Sequence, residues 1–344
     1  MANRLGILLT IFLLTSGPAR AANEVRLFNW SDYIPDQVLQ RFTAETGITV
    51  RLASYDSNEA MYAKLRLLQG KGYDVAVPST YYVDKLRKEG LLHPLDKARL
   101  PNFRNLDPRH LDKPFDPGNR YSVPYLWGSA GIAVNAARID PATVRSWADL
   151  WQPRFRGRLL LPNDMRDVFF AALRVLGFPA NTTDPGQIRQ AYVALQRLLP
   201  NVRLFNSDSP LTLLVTGEVD VGMVWNGNAY LAWKENPAIR YIYPSEGCLL
   251  WMDNLVILKG AENLEAAHRL LDFLLRPEIG KLIGENIGYA LPNAEAVKLL
   301  APEVRGNPTL YPGDEVLAKG VYQTDIGPAI TLYTEYWARL KAGE

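Results

Sequence analysis

The chain has 344 residues, 48% hydrophobic and 22% charged, with 38 Lys and Arg against 36 Asp and Glu. This is an ordinary globular balance, long enough for two domains. With a formal charge of +2 and no basic block, it argues against nucleic acid as a partner.

The N-terminus reads as a secretory signal over residues 1–21. Arg4 supplies the positive start, residues 5–14 are apolar, and Ala19-Arg20-Ala21 is a small-residue cleavage pattern. The apolar run is too short for a membrane anchor. Cleavage after Ala21 removes two arginines and no acid, taking the formal charge from +2 to 0. Discrimination among charged ligands must then come from local groups. The single cysteine, Cys248, lies far from the cleavage site and is not a lipid-anchoring N-terminal Cys. The expected location is a bacterial periplasm.

Residues 25–28 predict a strand. Val38, Leu39 and Phe42 predict a helix over 36–46 that stops at Gly47. A strand over 49–53 follows. Asp56 and Glu59 have capping-box spacing and open a helix to about Gln69. A buried strand over 74–77 and a helix over 82–89 complete a βαβα series, which predicts a mostly parallel sheet. The Pro- and Asp-rich stretch 101–119 reads as surface loop. A second series has a strand over 132–134, another over 159–161, and a helix capped by Asp164 that reaches about Leu176. Pro185 suits the first position of a helix running to Leu199. Segments 211–217, 221–225 and 241–243 continue the alternation. A strand over 254–258 returns to the first series, and a helix over 262–275 stops at Arg276-Pro277. Two α/β series without a flexible linker predict two interleaved lobes: 22–128 with 252–297, and 129–251 with 298–344.

Apolar runs break off at aromatic residues four times: at Trp30, at Tyr81-Tyr82, at Trp225 and at Trp251. A carboxylate follows within two positions twice, as Asp32 and Asp253. Strand ends build ligand sites in open α/β sheets. Aromatic faces beside carboxylates suit an organic cation with an apolar body. Each feature has a structural alternative. A Trp in an α/β protein commonly packs a core, Asp253 could belong to a salt bridge, and Asp164 and Asp167 could serve as helix caps. His93, His110 and His268 are scattered without metal-ligand spacing. No Gly-rich phosphate cradle or nucleophile motif is present. These absences point to a binder with no cofactor rather than to an enzyme.

The ordered set LFNWSDY (27–33), SNEAMYAKL (57–65), VPSTYYVD (77–84), Asn206-Ser207-Asp208, Trp225-Asn226-Gly227, Trp251-Met252-Asp253 and IGYALPN (287–293) spans nearly the whole chain. It resembles the periplasmic spermidine/putrescine-binding proteins of polyamine ABC importers. The resemblance implies a type II periplasmic-binding-protein fold, two α/β lobes closing on ligand by a hinge. It implies a site of Trp30, Ser31, Tyr33, Ser79, Tyr81, Asp164, Asp167, Trp225, Trp251, Asp253, Tyr289 and Gln323, with Thr80 in the conserved Ser-Thr-Tyr stretch. Two positions depart from the family pattern, Ser31 for Thr and Asp167 for Glu. The implied ligand is a polyamine, spermidine before putrescine. The implied partner is an inner-membrane permease with a cytoplasmic ATPase, served by a monomer. Asp253 is expected to hold one amine and Asp164 with Asp167 another, with aromatic walls between and Arg and Lys absent from the site. The competing readings are a sugar or oligosaccharide binder of the same fold, a ferric-ion binder hinted at by Tyr81-Tyr82, and a secreted glycosidase using Asp164 or Asp253.

Overall fold

The computed structural model describes residues 23–343, so the signal-peptide expectation lies outside the described residues. Its strands are β1 (Glu24–Trp30), β2 (Thr49–Tyr55), β3 (Val75–Ala76), β4 (Leu92–His93), β5 (Ser122–Asn135), β6 (Leu159–Leu161), β7 (Val202–Phe205), β8 (Val221–Trp225), β9 (Ile239–Ile242), β10 (Leu249–Leu258) and β11 (Val321–Tyr322). They follow the order β2-β1-β3-β10-β5-β8-β6-β7, with β4 and β11 on β10 and β9 on β5.

The sheet is less parallel than the βαβα pattern predicts. Pairs β1–β2, β1–β3, β6–β7 and β6–β8 are parallel. The middle pairs β3–β10, β10–β5 and β5–β8 are antiparallel. The cause is that β5 and β10 are long and run in opposite directions through both halves of the molecule. β5 is buried along all 14 residues, whereas the sequence pattern places a strand only at 132–134. Pro124 and Gly128 interrupt that pattern, and the structure accommodates both. Pro124 lies opposite Asn254 beside an irregularity in the β10–β5 register, where a missing N–H costs little. Gly128 lies opposite Trp251.

The helix at Asp36–Thr46 ends at Gly47 in the left-handed conformation, as the spacing predicts. The next helix, Asn58–Leu67, is capped by Ser57, whose hydroxyl accepts from Ala60 N, rather than by Asp56. The loop over 101–119 carries short 3-10 turns, each opened by a proline (Pro101–Asn105, Pro108–His110, Pro117–Asn119). Pro277 opens the helix Pro277–Ile287 after Leu264–Leu274 has ended.

Two separate apolar cores flank the β5–β10 crossing. One gathers Val25, Phe42, Leu126, Leu255 and Phe273. The other gathers Trp147, Phe169, Phe170, Val221 and Tyr333. Burying side chains of this size contributes roughly 1.5–3 kcal/mol each before entropy is counted. Leu300, Val304 and Tyr311 pack with the first core. The architecture is a two-lobed α/β fold with a cleft between the lobes.

Candidate functional site

A cavity of about 610 Å³ lies in this cleft. All twelve residues expected from the sequence line it, and Thr80 with them. Trp30 is the last residue of β1 and Trp225 the last of β8. Trp251 and Asp253 are not at a strand end, as the sequence pattern implies, but inside β10 where it passes between the lobes. Seven aromatic residues face the space: Trp30, Tyr33, Tyr55, Tyr81, Trp225, Trp251 and Tyr289. Six aspartates join them: Asp32, Asp56, Asp164, Asp167, Asp208 and Asp253. Among the described residues, the lining contains no Arg, Lys or His.

Asp253 is 5% exposed. Tyr33 Oη donates to its Oδ2 at 2.7 Å and Ser79 Oγ to its Oδ1 at 2.5 Å. Asn58 Nδ2 in turn donates to Ser79 Oγ at 3.1 Å, which orients that hydroxyl. None of the ion pairs among the described residues includes Asp253, so the salt-bridge alternative does not describe it. Burial pushes its carboxyl up to about 6, against the two hydroxyl bonds, which favour the charged form.

Asp164 and Asp167 sit at the start of the helix Met165–Val175. Asp164 does cap that helix, accepting from Asp167 N at 3.0 Å, and still lines the cavity. Asp167 turns inward instead. It is 5% exposed and accepts from Trp225 Nε1 at 2.9 Å and from Gln323 Nε2 at 3.2 Å. Burial, then the neighbouring charge of Asp164, raises its carboxyl well above the usual range. Burial likewise raises Asp164.

The aromatic walls are fixed by their polar edges and by glycines. Trp30 Nε1 donates to Val77 O at 2.9 Å. Trp251 meets Tyr289 edge-on at 4.9 Å between centroids, and its buried indole N–H has no hydrogen-bond partner among the described residues. Its six-membered ring lies over Gly128, where a Cβ would stand 2.5 Å from Cζ2. Tyr289 packs against Gly227 in the same way, and its hydroxyl donates to Asn228 Oδ1 at 2.9 Å across the cleft.

Several contributors were not read from the sequence. Tyr55 closes β2 outside every quoted motif, and Asn58 lies inside the 57–65 motif without an assigned role. Asp32, in the left-handed region at φ 52°, lines the cavity without an expected role. Arg166 carries the one signal available, its place between Asp164 and Asp167. It is 2% exposed behind the lining, so the expectation of an Arg-free site holds for the walls and not for the layer behind them. Among the described residues, no group of three or more His, Cys, Asp or Glu is placed to hold a metal ion.

Two lobes enclosing an aromatic, acid-lined cleft define a solute-binding protein. The chain belongs to the bacterial extracellular solute-binding protein family, whose profile matches residues 37–312. It is 51% identical over 321 residues to the spermidine/putrescine-binding periplasmic protein of Escherichia coli K12, covering 93% of this chain and 92% of that one. It is 44% identical over 333 residues to spermidine/putrescine-binding periplasmic protein 1 of Haemophilus influenzae, covering 96% and 92%. Its fold matches that of a putative spermidine/putrescine ABC transporter from Listeria monocytogenes at a TM-score of 0.90, with 35% identity over 94% of this chain and 100% of that one.

Two outcomes follow from this geometry. Gly128→Ala forces Trp251 and the Asn226 amide off β5, so tryptophan near-UV dichroism should change and urea unfolding should show a loss of about 1–3 kcal/mol. Carbon NMR of the ligand-free protein should place the Asp253 titration near 6, and Ser79→Ala should move it higher because a bond to the charged form is lost.

Proposed function

We propose that the chain captures an extended polyamine in this cleft, spermidine foremost and putrescine second, and delivers it to an inner-membrane ABC permease. The observation that carries the reading is the pairing of buried carboxylates with neutral donors only. Asp253 and Asp167 are each 5% exposed, each holds two hydrogen bonds from uncharged groups, and neither has an ion-pair partner among the described residues. An ammonium group supplies the missing charge together with an N–H donor. Trp30, Trp225, Trp251, Tyr33, Tyr81 and Tyr289 take the methylenes and offer their faces to the cation. Ser31 is the smaller neighbour of Trp30 at the rim. Support for the ligand class comes from the relatives at 51% and 44% identity, whose names give spermidine and putrescine. A relative at 35% identity is named for putrescine binding.

Binding is the whole activity in this reading, and no covalent step is assigned. Ligand bridging the lobes shifts an open–closed equilibrium, and the closed form docks on the permease as a monomer. The relatives at 51%, 44% and 35% identity are named as periplasmic, and a signal peptide over residues 1–21 accounts for the same location here. A neutral sugar fits the cavity less well. The two buried carboxylates, Asp167 and Asp253, lack an ion-pair partner among the described residues, and a neutral hydroxyl leaves that charge unrelieved.

Asp253→Asn should weaken spermidine binding about 10-fold or more, since a charge-assisted hydrogen bond is worth roughly 1.5–3 kcal/mol. Wild-type affinity in that variant removes Asp253 from the site. Spermidine should also change the emission of Trp225 and Trp251, which a fluorescence titration reads directly. The pH dependence has a defined sign. Burial raises the Asp253 carboxyl to about 6 in the free protein, and it must be ionised in the complex, so affinity should fall as pH drops through 6. An affinity independent of pH between 5 and 7.5 contradicts the pairing.

A further inference from the structure

Arg166 is a buried cation with no carboxylate at ion-pair distance among the described residues. It is 2% exposed. Its Nη1 donates to Thr324 O at 3.4 Å and its Nη2 to Asn181 Oδ1 at 3.0 Å, both neutral acceptors. Asn181 is itself fixed, donating to Tyr322 O and accepting from Thr324 N, both at 2.9 Å. The guanidinium lies between two rings, 5.5 Å from the centroid of Tyr81 and 5.6 Å from that of Tyr333. Tyr333 belongs to the core of its own lobe, whereas Tyr81 is a cavity wall contributed by the other lobe.

A buried guanidinium held only by neutral groups is costly unless a nearby charge offsets it. The carboxylates that do so are Asp164 and Asp167, its neighbours in the first helical turn, and Glu59 at longer range from the opposite lobe. Counting the cavity carboxylates that are buried or half-buried, which leaves out the exposed Glu59, against the guanidinium gives a simple result. At this end of the cleft two carboxylates face one guanidinium, which leaves one net negative charge. At the other end Asp253 stands alone, again with one.

We propose that Arg166 is a specificity-determining residue that sets the Asp164–Asp167 end of the cleft to accept a single ammonium group. The inference rests on the polyamine reading and deepens it. The buried interior demands two positive charges separated by an apolar span. A third ammonium, where the ligand has one, lies among the aromatic faces or at the exposed rim acids Asp32, Asp56 and Asp208. Without the guanidinium, this end carries two uncompensated charges and favours a ligand that brings two ammonium groups three methylenes apart. Because Tyr81 comes from the opposite lobe, its stacking on the guanidinium is made when the cleft is closed.

The test is calorimetric titration of ligand-stripped wild type, Arg166→Gln and Arg166→Lys with 1,4-diaminobutane and with spermidine. Arg166→Gln should raise the spermidine-to-diamine affinity ratio about 10-fold. Arg166→Lys should keep the wild-type ratio while both affinities fall. A purely structural role lowers both affinities together in Arg166→Gln and leaves the ratio unchanged, which overturns the assignment. If Arg166→Gln does not fold, the double variant Arg166→Gln/Asp167→Asn restores one net negative charge and should show the wild-type ratio. Asp167→Asn alone leaves this end neutral and should reduce the advantage of 1,4-diaminobutane over n-butylamine. An undiminished advantage overturns the assignment. A wild-type protein that binds neither amine overturns the polyamine reading together with this one. Wild-type binding with an unmoved ratio in Arg166→Gln overturns this assignment alone.

Discussion

Two carboxylates, those of Asp253 and Asp167, are taken out of water without an ion-pair partner among the described residues, and the rest of the cleft can be understood from that constraint. A buried charge is expensive, and neutral hydrogen bonds offset only part of the cost. Tyr33 and Ser79 at one end, and Trp225 and Gln323 at the other, hold the oxygens in place while bringing no charge of their own. The raised carboxyl pKa values express the same fact. A ligand that brings fixed positive charge relieves the constraint, and a neutral ligand does not.

The fold supplies the constraint through two strands. β5 and β10 run in opposite directions from one lobe into the other. Residues in the middle of β10 therefore stand at the seam, where neither core can surround them with apolar side chains alone. Trp251 and Asp253 occupy that position, and Gly128 opposite gives the indole room to lie flat against the neighbouring strand. The remaining groups arrive from both sides, Trp30, Tyr33, Ser79 and Tyr81 from one lobe, Asp164, Asp167 and Trp225 from the other. Contacts such as Tyr289–Asn228 and Tyr81–Arg166 cross the cleft, so the walls are complete only when the lobes meet.

Much of this was legible in the sequence because local chemistry leaves local signals. Gly47 and Pro185 mark helix ends that the structure keeps. Asp164 reads as a cap and is one. The family resemblance implied twelve residues, nine of them inside the ordered motifs, and all twelve line one cavity. What escaped has long-range causes. The antiparallel middle of the sheet depends on which strands cross between lobes, and no window of residues records that. The length of β5 was hidden by Pro124 and Gly128, whose tolerance depends on partners more than a hundred positions away. Arg166 stood beside a sequence signal, Asp164 and Asp167, but the partners that hold it, Tyr81, Asn181 and Thr324, are not its chain neighbours.

The central claim is that the cleft selects its ligand by charge carried on an apolar stem. Titration calorimetry of the ligand-stripped protein at pH 7.5 with 1,4-diaminobutane, spermidine, 1,4-butanediol and a neutral disaccharide tests it most directly. Binding of both amines, with no measurable heat from the diol or the disaccharide, is the predicted result. Binding of the disaccharide with neither amine competing, or equal binding of diamine and diol, contradicts the account.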